Sequence, residues 1–191
     1  MPNSQRKKQA QTLRTFRKVH RLTGALLFVF FFIVAVTGVF LGWKKHSGGA
    51  LLPKSYKGTS TDLKTWQPID RLNSIATQIL NDSINPDLST ELSRIDIRKQ
   101  KGMLKFIYSE HYWEIQLDGA TGELLNIGRR HSDWIENVHD GSIVDAFLGI
   151  SKGWFKLFYT TIMGFALLLF TVTGFWLWYG PKKMRKEQRD R

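Results

Sequence analysis

The sequence predicts a membrane α-helical protein: two transmembrane helices joined by an extracytoplasmic α+β domain. Three observations carry that reading. Leu157 to Tyr179 is a run of 23 residues without a charge, and Leu22 to Trp43 is a second of 22. The excess of lysine and arginine lies outside both runs. At about 1.5 Å of rise per residue each run reaches on the order of 33 Å, against a hydrocarbon core about 30 Å thick. A water-soluble fold could bury one helix that is apolar all round. Two of them in 191 residues, with mean hydropathy below zero, leave too little polar chain to cover them.

The charge distribution gives the topology. The net charge is +12, with +7 in residues 1–21 and +4 in residues 180–191. Residues 44–153 hold 14 basic and 14 acidic side chains and are neutral. That is the positive-inside pattern, so both termini are expected in the cytoplasm and the middle outside, in an inner-membrane, multi-pass protein. The expected partner of the basic tails is anionic membrane lipid rather than nucleic acid. The first run is too long for a secretory h-region and ends in Gly42-Trp43-Lys44-Lys45, with no A-x-A-like site, so it reads as an uncleaved anchor. There is no cysteine, which excludes disulfides, thiolate nucleophiles and cysteine-ligated metals.

Taken in order, residues 1–21 form a basic cytoplasmic arm and 22–43 the first transmembrane helix. Gly24, Phe28, Phe31, Ala35, Gly38 and Gly42 fall at steps of four and three, one helix face. His20 lies one step further back. In lipid, helices associate by close backbone approach, so small residues mark a contact seam. Thr160, Gly164, Leu167, Thr171, Gly174 and Trp178 trace a similar line in the second span. The two seams are expected to face each other or the same seams in a second copy, through Gly24, Ala35, Gly38, Gly42, Gly164 and Gly174. Val36-Thr37-Gly38 and Val172-Thr173-Gly174 repeat near the ends of the two spans.

Residues 44–63 read as a linker, with Gly48-Gly49, Pro53 and Gly58 and no periodicity. Residues 64–130 form the folded domain. Trp66 to Asn81 keeps helical spacing at Ile69, Leu72, Ile75, Ala76, Ile79 and Leu80, with Pro68 suited to the first turn. Arg94 to Arg98 alternates. Met103 to Tyr108, Tyr112 to Leu117 and Glu123 to Ile127 are strands, separated by turns at Gly102 and Asp118-Gly119-Ala120-Thr121-Gly122. A helix on an antiparallel meander buries one sheet face. Glu110 and Glu114 are expected in solvent. Residues 131–153 form a partly apolar segment at the membrane surface, 154–179 the second transmembrane helix and 180–191 a basic cytoplasmic tail.

Three pieces together resemble a known family. His20-Arg21-Leu22-Thr23-Gly24 opens a span that closes in Val36-Thr37-Gly38. The middle domain ends in Tyr112-Trp113-Glu114-Ile115-Gln116-Leu117-Asp118-Gly119-Ala120-Thr121-Gly122-Glu123. Val138-His139-Asp140-Gly141 then precedes a span closing in Val172-Thr173-Gly174-Phe175-Trp176. This resembles the PepSY-associated transmembrane family, with a PepSY-like domain between the spans. Four-span relatives are similar to haem-containing reductases of iron–siderophore uptake, with histidines at span ends as haem ligands. The resemblance thus implies haem b as cofactor and His20 and His139 as the cofactor-binding residues. It implies a haem-binding accessory or electron-transfer component of iron uptake. PepSY domains also occur in peptidase propeptides, so the alternative is a non-enzymatic interaction module that binds or restrains an envelope peptidase or other partner.

His20 and His139 belong to opposite membrane faces, about 30 Å apart. They cannot share one iron within a chain, so bis-histidine ligation requires a second copy or a partner protein. His46 is expected at a solvated span end and His111 at a strand end. His131 and His139 are eight apart and share a helix face, but no metal site is expected. No catalytic residue is assigned, because H-E-x-x-H, G-x-S-x-G, the P-loop and G-x-G-x-x-G are all absent. Acids are absent from both spans, which argues against a proton-relay transporter.

Overall fold

A computed structural model of the chain describes residues 3–189. It divides into a helical unit, Met1–Thr37 with Val138–Arg191, and a globular unit, Gly38–Asn137. The elements are α1 (Asn3–Trp43), α2 (Ile69–Ser83), β1 (Leu92–Arg98), β2 (Met103–Tyr108), β3 (Trp113–Asp118), β4 (Leu124–Arg129), α3 (His131–His139), α4 (Ser142–Leu148) and α5 (Trp154–Arg189).

Among the described residues, α1 and α5 are the two helices long and apolar enough to cross a membrane. Their apolar side chains are displayed rather than hidden: Leu26 is 74% exposed, Phe28 65% and Phe165 71%. Side chains like these are tolerated over whole helix faces only where lipid replaces water. This is a membrane protein with an α+β domain between its spans.

In the globular unit the sheet is an antiparallel meander, β1-β2-β3-β4. Phe106 pairs with Ile115, and Ile115 with Ile127. α2 lays Leu72, Ala76 and Leu80 against Leu104, Phe106, Tyr108, Ile115 and Leu117, and all eight side chains are buried. The helix starts at Ile69 because Pro68 still has extended backbone, ψ 140°. The preceding Trp66 is anchored instead, its indole Nε1 donating to the Ser60 carbonyl at 2.9 Å. Its ring lies on Gly119, where a Cβ would come within 2.4 Å of Trp66 Cδ2.

The expectation of a single buried sheet face needs correcting. Every residue of β2 is buried, and so is β3 from Glu114 onward. The second face is covered by residues 53–60, part of the segment read as a linker. Tyr56 N–H donates to Gln116 Oε1, and Gln116 Nε2 donates to the Lys54 carbonyl at 2.7 Å. Thr59 N–H donates to Asp118 Oδ2 at 2.7 Å. Gly58 lies so close to the β1–β2 turn that a Cβ would be 2.1 Å from the Gly102 carbonyl oxygen. A chain that supplies backbone donors and acceptors can cover a polar face, since each buried polar atom then keeps a partner.

Glu114 is accordingly not in solvent. It is fully buried, with Lys105 Nζ 2.9 Å from Oε1 and Arg130 Nη1 2.5 Å from Oε2. Arg130 also reaches Asp133 at 2.8 Å, and Arg94 meets the same carboxylate at 2.9 Å. Burial alone would raise the Asp133 carboxyl, but Arg130 and Arg94 more than offset it and hold it below the usual carboxylate range. Glu110 is exposed, as expected.

Candidate functional site

Both histidines singled out in the sequence lie in the helical unit. His20 is on α1 and His139 is the last residue of α3, followed by the turn Asp140-Gly141. Gly141 has φ +80°, and a Cβ there would fall 2.9 Å from Tyr159 Cδ1, so only glycine lets the turn sit this close to α5. Asp140 accepts from Ser142 N–H at 2.9 Å and pairs with Lys156 Nζ at 2.5 Å. Burial opposes its ionisation, yet Lys156 and Ser142 prevail and its carboxyl lies below the usual range. α4 contributes Asp145, which is buried and accepts from the Phe155 and Lys156 amides, both at 2.9 Å. These are orphan donors of the first turn of α5, so Asp145 caps that helix from outside its own chain segment.

The two histidines are held in the same way. His20 Nδ1 lies 2.9 Å from Thr173 Oγ1 on α5. His139 Nδ1 lies 2.8 Å from Thr37 Oγ1 on α1. Each threonine belongs to one of the repeated Val-Thr-Gly elements, and each receives the histidine that precedes the other span. His20 is also stacked on Phe170, with ring centroids 3.8 Å apart, and a Cβ on Gly174 would come 3.4 Å from its Cε1. Seventeen residues separate His20 from Thr37, so the two pairs lie about 25 Å apart along α1.

Between them α1 and α5 enclose an open apolar groove of about 750 Å³. Phe28, Phe31 and Ala35 line one side, Met163, Gly164 and Leu167 the other, and His139 borders it. The expected seams therefore meet the groove rather than pack closely. The α5 residues that are buried are Met163, Ala166, Thr173 and Gly180, a line rotated from the expected one. Tilted ring pairs bridge the helices where backbones do not: the Phe31 and Phe170 centroids are 5.7 Å apart, and those of Phe16 and Trp176 6.1 Å. A Cβ added at Gly24 would come 3.0 Å from Phe170 Cε2, whereas one at Gly42 or Gly164 would meet nothing within 4 Å.

The groove falls within the usual size of small-molecule sites, mostly apolar with few polar groups at the rim. The lining suits a flat apolar group; His139 is part of it, and His20 stands behind Phe170, on which it stacks. The spacing of the pairs excludes one iron shared by both residues of a chain. Among the described residues no group of three His, Asp or Glu could hold a metal ion. His46 and His131 are exposed, and His111 Nε2 sits 3.0 Å from the Ser89 carbonyl.

The family model described as PepSY-associated TM region matches residues 2–180. The chain belongs to this family. Comparisons with curated proteins and with solved structures give no match. The PepSY resemblance singled out His20 and His139 but not their partners. Thr37 and Thr173 were visible as a repeat. Nothing local said that each answers a residue more than 100 positions away; Asp140 stood only within the Val138-His139-Asp140-Gly141 motif, and Phe170 and Asp145 carried no signal.

Proposed function

We propose that this PepSY protein is a haem-binding accessory of iron–siderophore uptake or electron transfer in the inner membrane. Its termini are cytoplasmic and its globular domain is extracytoplasmic. The observation that supports the reading is the crossed pair of histidine–threonine contacts, with His139 bordering an apolar groove and His20 stacked on Phe170, which lines it. His139 and His20 would each supply one imidazole to a haem, and haem when bound carries single electrons. The chain's part is to orient the rings, keep water out with Phe28, Phe31 and Phe170, and hold the Asp140–Lys156 pair beside His139. Because the two rings are about 25 Å apart, a second copy or a partner protein would have to supply any second imidazole. Gly42 and Gly164, open in the single chain, mark the faces for it. The neutral balance of residues 44–153 and the basic tails support the orientation.

The test is the visible spectrum of the detergent-purified protein. A Soret band that is lost in His20→Ala or His139→Ala is the expected result. A colourless protein that takes up no hemin, and that co-purifies with an envelope peptidase, would replace this reading with that of an interaction module.

A further inference from the structure

We infer that Thr37 and Thr173 are positioning residues that set the tautomer of the two histidines. They hold His139 and His20 with Nδ1 protonated and leave Nε2 as the lone-pair donor. This deepens the haem reading and rests on it for its purpose, but the tautomer belongs to the chain alone.

The argument is one of proton supply. A threonine hydroxyl has one hydrogen to donate and two lone pairs to accept with. Thr37 Oγ1 lies 2.6 Å from the Ile33 carbonyl oxygen, and Thr173 Oγ1 lies 2.7 Å from that of Leu169. Two oxygens this close need a hydrogen between them, and a carbonyl has none. Each hydroxyl hydrogen is therefore spent on its own helix. Toward the imidazole each Oγ1 can only accept, at 2.8 Å for His139 and 2.9 Å for His20. A neutral imidazole has a single N–H, so Nδ1 must carry it and Nε2 must be bare.

The setting makes the arrangement rigid. Thr173 is 2% exposed, so water does not compete for its oxygen. Phe170 stacks on the His20 ring, and Gly174 leaves room for its edge. No hydrogen bond to either Nε2 occurs among the described residues. A ring anchored through Nδ1 with a bare Nε2 is the arrangement metal-binding histidines require. Each hydroxyl hydrogen finds an acceptor on its own helix, so the bare Nε2 is the one polar atom of each pair left for a ligand.

The experiment is ¹⁵N NMR of histidine-labelled, haem-free protein in detergent at about pH 8, above the ordinary histidine value of ~6.5. The wild type should show His20 and His139 with Nδ1 protonated. Thr37→Val should release His139 to a tautomer mixture and leave His20 unchanged, and Thr173→Val should do the reverse. Thr→Ser at either position should restore the locked state. Added hemin, followed by absorbance, should bind about 10- to 100-fold more weakly to the valine variants, with recovery in the serine variants. An Nε2-protonated wild type, or rings that ignore the valine substitutions, would overturn the inference. If the valine variants fail to fold, the wild-type and serine spectra still decide it. If the rings behave as stated but the wild type takes up no hemin, the haem reading falls and the tautomer assignment stands.

Discussion

Glu114 and Lys105 face one another across β2 and β3 with 2.9 Å between Oε1 and Nζ, both withdrawn from solvent. Arg130 takes the other carboxylate oxygen. Removing one member of such a set leaves buried charge without a counter-ion, which costs about 3–5 kcal/mol. Glu114→Gln should therefore lower the melting temperature of the full chain in detergent sharply. Glu110→Gln, a change in an exposed side chain, should leave it unchanged. Equal melting points for the two variants would contradict the buried network.

Acid should loosen the globular unit through Asp133. Its carboxyl is lower in the folded chain than when unfolded, because Arg130 and Arg94 outweigh burial. Such a group stabilises the fold above the unfolded value of about 3.9, and the contribution is lost as pH falls through the folded value. Asp118 acts in the same direction: burial opposes it, but donors from Ala120, Thr121 and Thr59 lower it. Melting curves from neutral to acid pH should show wild type and Asp133→Asn converging at low pH. Curves that stay parallel would contradict this.

Two glycines make opposite predictions. At Gly58 an added Cβ meets the Gly102 backbone oxygen at 2.1 Å, so Gly58→Ala should destabilise by about 1–3 kcal/mol or more. At Gly164 an added Cβ meets nothing within 4 Å. Alanine is the better helix former, and Gly164→Ala should be tolerated by the single chain. Loss of self-association in Gly164→Leu, read by cross-linking in membranes, would then report a second copy on that face.

Asp145→Ala should fray the start of α5. The side chain accepts two amides of the first turn, and losing such a cap costs about 1 kcal/mol, up to ~2. Hydrogen exchange at Phe155 and Lys156 should quicken while exchange in β2 stays slow. Unchanged protection at those two amides would refute the cap.

The elements visible in the sequence were those whose cause is local. The β-formers of Met103–Tyr108 give a strand with those same ends, and the spacing from Ile69 to Leu80 gives α2. The two apolar runs give α1 and α5, though both helices extend beyond them into the basic tails. What stayed illegible depends on distant partners. Glu114 reads as solvated because Arg130, which pairs with it, and Lys54, which covers the neighbouring Gln116, are remote in sequence. The line of α5 buried within the single chain, Met163, Ala166 and Thr173, is rotated from the small-residue seam, and Phe170 with His20 fills the space beside it, which no local pattern announces.

The sheet connects each strand to the next one made, so the globular unit is complete once Asn137 has left the ribosome. His20 is made early and waits for Thr173, 153 residues later. Any ligand captured between the helices must therefore arrive after translation is nearly finished. A nascent chain stalled before residue 173 would carry a folded head on a histidine still lacking its anchor.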